Sequence, residues 1–174
     1  MKPILAITMG DPAGIGPEIV VRALGRKETY EKCRPIVTGD AAVIREAVRL
    51  LGYDLKVNAV DKVSDAKFEF GTIDVFDLHC VDMDTFRFGE VQPQCGNAAF
   101  VSIKKAIELA MANEVDGTVT APLNKEALNL AGHHYDGHTE LYATFTNTKK
   151  YAMMLADETL RVLRVSTPVP LRKG

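Results

Sequence analysis

The stretch from Ile4 to Leu24 constrains the fold more than any other. A β-rich run, Ile4-Leu5-Ala6-Ile7-Thr8, passes into Met9-Gly10-Asp11-Pro12-Ala13-Gly14-Ile15-Gly16-Pro17, and Ile19, Val20, Ala23 and Leu24 then recur at one-face helical spacing. Pro17 suits a first helical position, where its missing N–H would have no intrahelical partner anyway. The rhythm repeats. Pro35-Ile36-Val37-Thr38 reads as a second strand and Gly39-Asp40 as its turn. Asp40 is an N-cap for a helix carrying Ile44, Ala47, Val48 and Leu51 on one side, closed by Gly52. Lys56 to Val60 follows as a third strand. Strand–helix–strand alternation specifies an α/β class, with helices on the faces of a sheet.

Between Asp61 and Pro93 the pattern changes. Phe68, Phe70, Ile73, Val75, Phe76 and Leu78 alternate imperfectly with polar residues, suggesting antiparallel strands around a Gly71 turn. His79 to Gln92 reads as an excursion, flap or arm. From Asn97 to Met111, Ala99, Phe100, Ile103, Ala106, Ile107, Ala110 and Met111 form a broad apolar helical face. Asp116 to Ala121 is a short buried strand leading into Pro122-Leu123-Asn124-Lys125-Glu126 and a helix ending near Gly132. Tyr151 to Ala156 and Leu160 to Val165 read as a hairpin. Met153 and Met154 have core spacing. The sheet would then end on that hairpin and a Pro-rich tail, leaving an edge unprotected, so the chain reads as cut off.

At 174 residues the chain suffices for one α/β domain and is short for two. Lys plus Arg number 21 against 23 Asp plus Glu, which argues against a broad nucleic-acid-binding face. No apolar run approaches membrane-spanning length, and the opening run is broken by Thr8 and Gly10, which makes it a strand rather than a secretory signal. Cys33, Cys80 and Cys95 are odd in number and widely spaced, as reduced cytosolic thiols would be.

Three segments could carry chemistry. The bend from Gly10 to Gly16 is spaced G-x-x-x-G-x-G, not as the dinucleotide fingerprint G-x-G-x-x-G, and no Lys-Ser or Lys-Thr follows as in a P-loop. It reads equally as a ligand-approaching loop and as a tight turn. Lys125, at a strand's carboxyl end, is placed to hold a phosphate or carboxylate, or is a solvated first-turn lysine. Three of four histidines fall between His133 and His138. Adjacent His133 and His134 must diverge and read as surface residues, whereas His138 and Thr139 at a helix start form a ring N–H and hydroxyl pair for an anion. The same pattern also reads as an N-cap at Thr139 with incidental histidines. His79 reads as structural.

Ile7 to Glu18, Ala121-Pro122-Leu123-Asn124-Lys125, Gly137-His138-Thr139-Glu140 and Met153-Met154-Leu155-Ala156 resemble, in this order, the 4-hydroxythreonine-4-phosphate dehydrogenases. Tyr135 to Leu141 and Asn147-Thr148-Lys149 are closer to the D-threonate or D-erythronate 4-phosphate branch than to the pyridoxal-phosphate-pathway branch. The resemblance implies an isocitrate/isopropylmalate-dehydrogenase-like three-layer α/β/α fold, truncated, because family members are about twice this length. The chain would be the N-terminal part of a two-domain enzyme, its site in a cleft shared across a homodimer.

The implied reaction is NAD-dependent oxidation of a phosphorylated hydroxy acid followed by decarboxylation, assisted by a divalent metal. His138 and Thr139 match the family's substrate-contacting pair, and Lys125 lies in a motif near the cleft. Gly10, Asp11 and Gly14 are the cofactor-side candidates. Pro168 stands where the family has a metal-ligand histidine, and proline offers no ligand atom, so no metal residue carries over. The expectation is a chain inactive by itself. Its rivals are a non-catalytic anion-binding half-domain and a phosphate-acyltransferase-like protein of the same general fold.

Overall fold

The computed structural model describes residues 1–164 and Arg172; the Pro168 replacement lies outside the described residues. Five parallel strands form one sheet: β1 (Ile4–Thr8), β2 (Arg34–Gly39), β3 (Lys56–Val60), β4 (Thr72–Asp77) and β5 (Gly117–Val119), in the order β3-β4-β2-β1-β5. Helices α1 (Gly16–Leu24), α2 (Lys27–Lys32) and α3 (Ala41–Leu51) follow β1 and β2. Helix α4 (Pro93–Met111) packs on β1, β2 and β5, and α5 (Lys125–Leu130) and α6 (His138–Phe145) pack on α4. Helix, sheet and helix layers are those of the expected α/β/α architecture.

Because both faces are covered, the central strands carry near-continuous apolar runs rather than an alternating pattern. Val37 joins Met9, Val20, Leu24, Ile44, Ile73 and Val75 in one core. Its neighbour Ile36 points the other way, to Ala6, Ala106 and Leu109. Each Val, Leu, Ile or Met side chain among them contributes about 1.5–3 kcal/mol by leaving water. Asp40 caps α3 as expected, accepting from Ala42 N–H at 2.9 Å, and its second oxygen accepts from the N–H groups of Cys80 and Val81 at 2.9 and 3.0 Å. One carboxylate thus starts a helix and turns the chain leaving β4.

Five local readings need correction. The run before Gly71 is not an antiparallel strand: Lys67 and Phe68 donate their N–H groups to the buried Asp74 carboxylate at 3.1 and 2.8 Å, and β4 pairs in parallel on both sides. On α1 the buried stripe is Val20, Val21 and Leu24, while Ile19 and Ala23 face outward. The hairpin forms from β6 (Met154–Ala156) and β7 (Arg161–Leu163), but as a separate two-stranded sheet, not the end of the central one. Met153 and Met154 are exposed on it, because strands this short enclose no core of their own. The excursion after β4 is no free arm: Phe86 is buried with Ala13 and Cys95, and Gly89 donates its N–H to the Ala13 carbonyl at 2.9 Å. The short helix α2 was not legible in the pattern; its Tyr30 hydroxyl donates to the Thr72 carbonyl at 2.9 Å.

Helices α4 and α5 approach so closely that a Cβ at Gly96 would collide with the Ala127 carbonyl. Backbone cannot retreat as a flexible side chain can. Gly96→Ala should therefore lower the urea unfolding midpoint, by about 1–3 kcal/mol of stability. An unchanged midpoint would contradict this packing.

Candidate functional site

The chain leaves β1 toward β2 on one side and returns from β4, through α4, to β5 on the other. The carboxyl ends of β1 and β5 therefore flank the point where strand order reverses, the place where open α/β sheets bind ligands. Two of the three candidate segments sit there.

They are joined directly. Asp11 N–H donates to the Pro122 carbonyl at 2.9 Å, and Ala121 N–H donates to Thr8 Oγ1 at 3.1 Å. Gly10 lies at φ 74°, and a Cβ on it would run into that same Pro122 carbonyl. Its missing side chain thus lets one loop press on the other, and the space beside it is filled by protein rather than open as a cradle for a pyrophosphate. The Asp11 carboxylate is buried and accepts from Ala13 N–H at 2.9 Å. Burial pushes its pKa up, against the opposing pull of the Ala13 and Gly14 N–H groups. Gly14 donates its own N–H to the Asp11 carbonyl at 3.1 Å. All three cofactor-side candidates take part in building the bend.

The third segment closes over β5. Leu141 of α6 packs on Ile103 and Ile107 of α4, and the Tyr142 hydroxyl donates to Thr118 Oγ1 of β5 at 2.8 Å. This sets the start of α6 beside Ala121. Gly137 precedes it at φ 152° and ψ −164°, a conformation essentially restricted to glycine. The Glu140 carboxylate reaches back to accept the Asp136 N–H at 2.6 Å. His138 is half-buried. Its Nε2 is buried and has no hydrogen-bond partner among the described residues, at a cost of about 1–3 kcal/mol. Burial holds the imidazole pKa below its ordinary value, opposed by a hydrogen bond with the Ala121 backbone. Thr139 is exposed. Successive helical residues point about 100° apart, so the ring turns in toward Ala121 while the hydroxyl faces out.

Lys125 is exposed at the start of α5 and lines a cavity of about 270 Å³ with Asn129, His134, Tyr135, Asp136 and Glu140. His133 and His134 diverge as expected. The His133 ring stacks on Phe100 with centroids 3.7 Å apart and its Nε2 lies 3.0 Å from Asn97 Oδ1, so it is packed rather than merely superficial. His134 Nδ1 lies 3.2 Å from Asn129 Oδ1. His79 is exposed beside Asp77, 3.5 Å away.

Two residues were missed. Asn124 caps α5, accepting from Glu126 and Ala127 N–H at 2.9 and 3.1 Å, which the Asn-before-helix signal would have shown. Glu140 stands at the third helical position, the capping-box spacing, concealed because Gly137 replaces the usual Ser or Thr.

Residues 31–174 match the family model described as "Pyridoxal phosphate biosynthetic protein PdxA". The chain belongs to the PdxA family. A relative from Clostridium botulinum (strain Hall), named "Putative D-threonate 4-phosphate dehydrogenase", is 45% identical over 173 residues, covering 99% of this chain and 52% of the relative. One of the same name from Oceanobacillus iheyensis is 46% identical, covering 98% and 51%. The solved 4-hydroxythreonine-4-phosphate dehydrogenase from Burkholderia phymatum superposes with a TM-score of 0.92 at 42% identity, covering 99% of this chain and 52% of that one. The chain spans about half the length of the curated relatives it matches.

Among the described residues no group of three or more His, Cys, Asp or Glu side chains is placed to hold a metal ion, so these residues do not fit one by themselves. No helix among them is long and apolar enough to cross a membrane.

The lowered imidazole values have a definite consequence. Burial depresses both His138 and His133, the latter also through His134. Between those values and about 6.5 the unfolded chain binds more protons than the folded one, so stability should fall as pH drops through about 6.5 and level off below the folded values. Urea unfolding from about pH 8 to about pH 5 should show that decline, shallower in His138→Gln. A decline of equal steepness in that variant would contradict the burial of His138.

Proposed function

We propose that this chain supplies the substrate-gripping half of an NAD-dependent dehydrogenase. The substrate is a phosphorylated hydroxy acid, either 4-phosphohydroxy-L-threonine or D-threonate or D-erythronate 4-phosphate, which is oxidised at a secondary alcohol and then decarboxylated. The observation that carries the proposal is the buried, unpartnered Nε2 of His138 on a helix that Tyr142 ties to β5 beside the β1/β5 switch point, in a chain whose relatives bear those enzyme names. The D-threonate branch is favoured by the names of the curated relatives.

In this reading the neutral imidazole of His138 exchanges a hydrogen bond with a substrate oxygen, and its orphaned Nε2 gains the partner it lacks among the described residues. Thr139 donates its hydroxyl from the outer side. Lys125 supplies the positive charge for a phosphate or carboxylate approaching along the neighbouring cleft. Gly10, Asp11 and Gly14 form the floor behind the substrate rather than a dinucleotide grip. The full-length enzyme would need a nicotinamide cofactor as hydride acceptor and a divalent metal as Lewis acid, and the described residues do not by themselves hold that metal. The assembly proposed is a cytoplasmic homodimer.

The same geometry favours binding without turnover by these 174 residues alone, since the described donors do not assemble a metal site. Calorimetry with D-threonate 4-phosphate should give heat that is lost in His138→Ala and reduced in Lys125→Ala. Added NAD and divalent metal should yield little or no NADH. Equal heats from wild type and His138→Ala would remove the role of His138, and substantial turnover would overturn the half-enzyme reading.

A further inference from the structure

The Gly-His-Thr-Glu segment contains two residues to which the proposed grip assigns no part. Gly137 has nothing within 4 Å of where its Cβ would stand. Glycine is therefore needed there for its backbone angles, φ 152° and ψ −164°, and not for room. Such a joint is permissive: glycine populates many conformations, so something else must select this one. The Glu140 carboxylate is the group in position to do so. It accepts the Asp136 N–H at 2.6 Å, across the glycine, tying the residue before the joint to the first turn of α6. A charge-assisted hydrogen bond of this kind is stronger than a neutral one. The far end of the loop is held separately, by the His133 ring on Phe100 and its contact with Asn97. Between these two fixed points the chain runs into α6, whose first residue turns its ring toward Ala121.

We propose that Glu140 is a positioning residue for His138, locking Gly137 so that the imidazole is held against the Ala121 backbone. The proposal rests on the reading of His138 as a substrate contact only for its functional meaning; the geometry stands without it. The titratable groups around the joint are Lys125, His134, Tyr135, Asp136 and Glu140 itself, all lining the adjoining cleft. A test must therefore separate the hydrogen bond from the charge.

Nuclear magnetic resonance of the His138 ring provides that separation in the intact chain, without ligand. In Glu140→Ala the ring should lose its buried environment, and its titration midpoint should rise toward about 6.5, the ordinary imidazole value. Glu140→Gln keeps an acceptor oxygen while removing the charge, and should retain the depressed midpoint. Gly137→Ala, with Glu140 intact, should release the ring as Glu140→Ala does. An unchanged His138 midpoint in Glu140→Ala, or a Gln variant that behaves like Ala, would overturn the proposal. Calorimetry with D-threonate 4-phosphate forms the second arm, in which Glu140→Ala should weaken binding about tenfold or more. If wild type itself gives no heat, the substrate reading fails while the resonance data still decide the role of Glu140.

Discussion

The carboxyl edge of this sheet depends on one join, the donation of the Asp11 N–H to the Pro122 carbonyl. It ties the bend after the first strand to the loop after the fifth, residues more than 100 positions apart in sequence. A single such bond contributes only about 0.5–1.5 kcal/mol. Its importance is geometric. With Thr8 Oγ1 accepting from Ala121 and Gly10 leaving no side chain in the way, the two loops form one surface. The start of α6 rests beside that surface, and His138 is measured against it.

The layers beneath make the join possible. Parallel strands buried on both faces bring all their carboxyl ends to one edge, so every connection leaving a strand is a potential site element. Which of them meet is decided by strand order. Only β1 and β5 are neighbours across the reversal, and the two motifs that follow them are the ones in contact. The buried Asp40 does comparable work one strand over, capping α3 and fixing Cys80 and Val81, and the excursion it redirects ends packed on Ala13. The bend is thereby supported from two sides.

Much of this was legible in the sequence. The run Ile4 to Thr8, the Asp40 cap and the long apolar helix follow from local periodicity and capping chemistry, which need no knowledge of distant residues. What the pattern missed is long-range. The stretch from Phe68 alternates as a strand should, but its N–H groups are claimed by Asp74, a tertiary partner no window contains. Met153 and Met154 have core-like spacing, yet spacing does not say what lies opposite. His138 and Thr139 read as a pair at a helix start, and only the fold shows that the ring turns inward while the hydroxyl is exposed. The motif was visible; the division of labour within it, with Gly137 as joint and Glu140 as latch, required coordinates.

The central claim is that the bend after β1, the loop after β5 and the start of α6 form one ligand-facing surface. The most direct measurement is a map of backbone amide shifts on adding D-threonate 4-phosphate to the isotopically labelled chain. The account predicts perturbations concentrated at Gly10 to Gly14, Ala121 to Lys125 and Gly137 to Glu140. Perturbations confined to the β6–β7 hairpin, or reaching only one of the three segments, would contradict it.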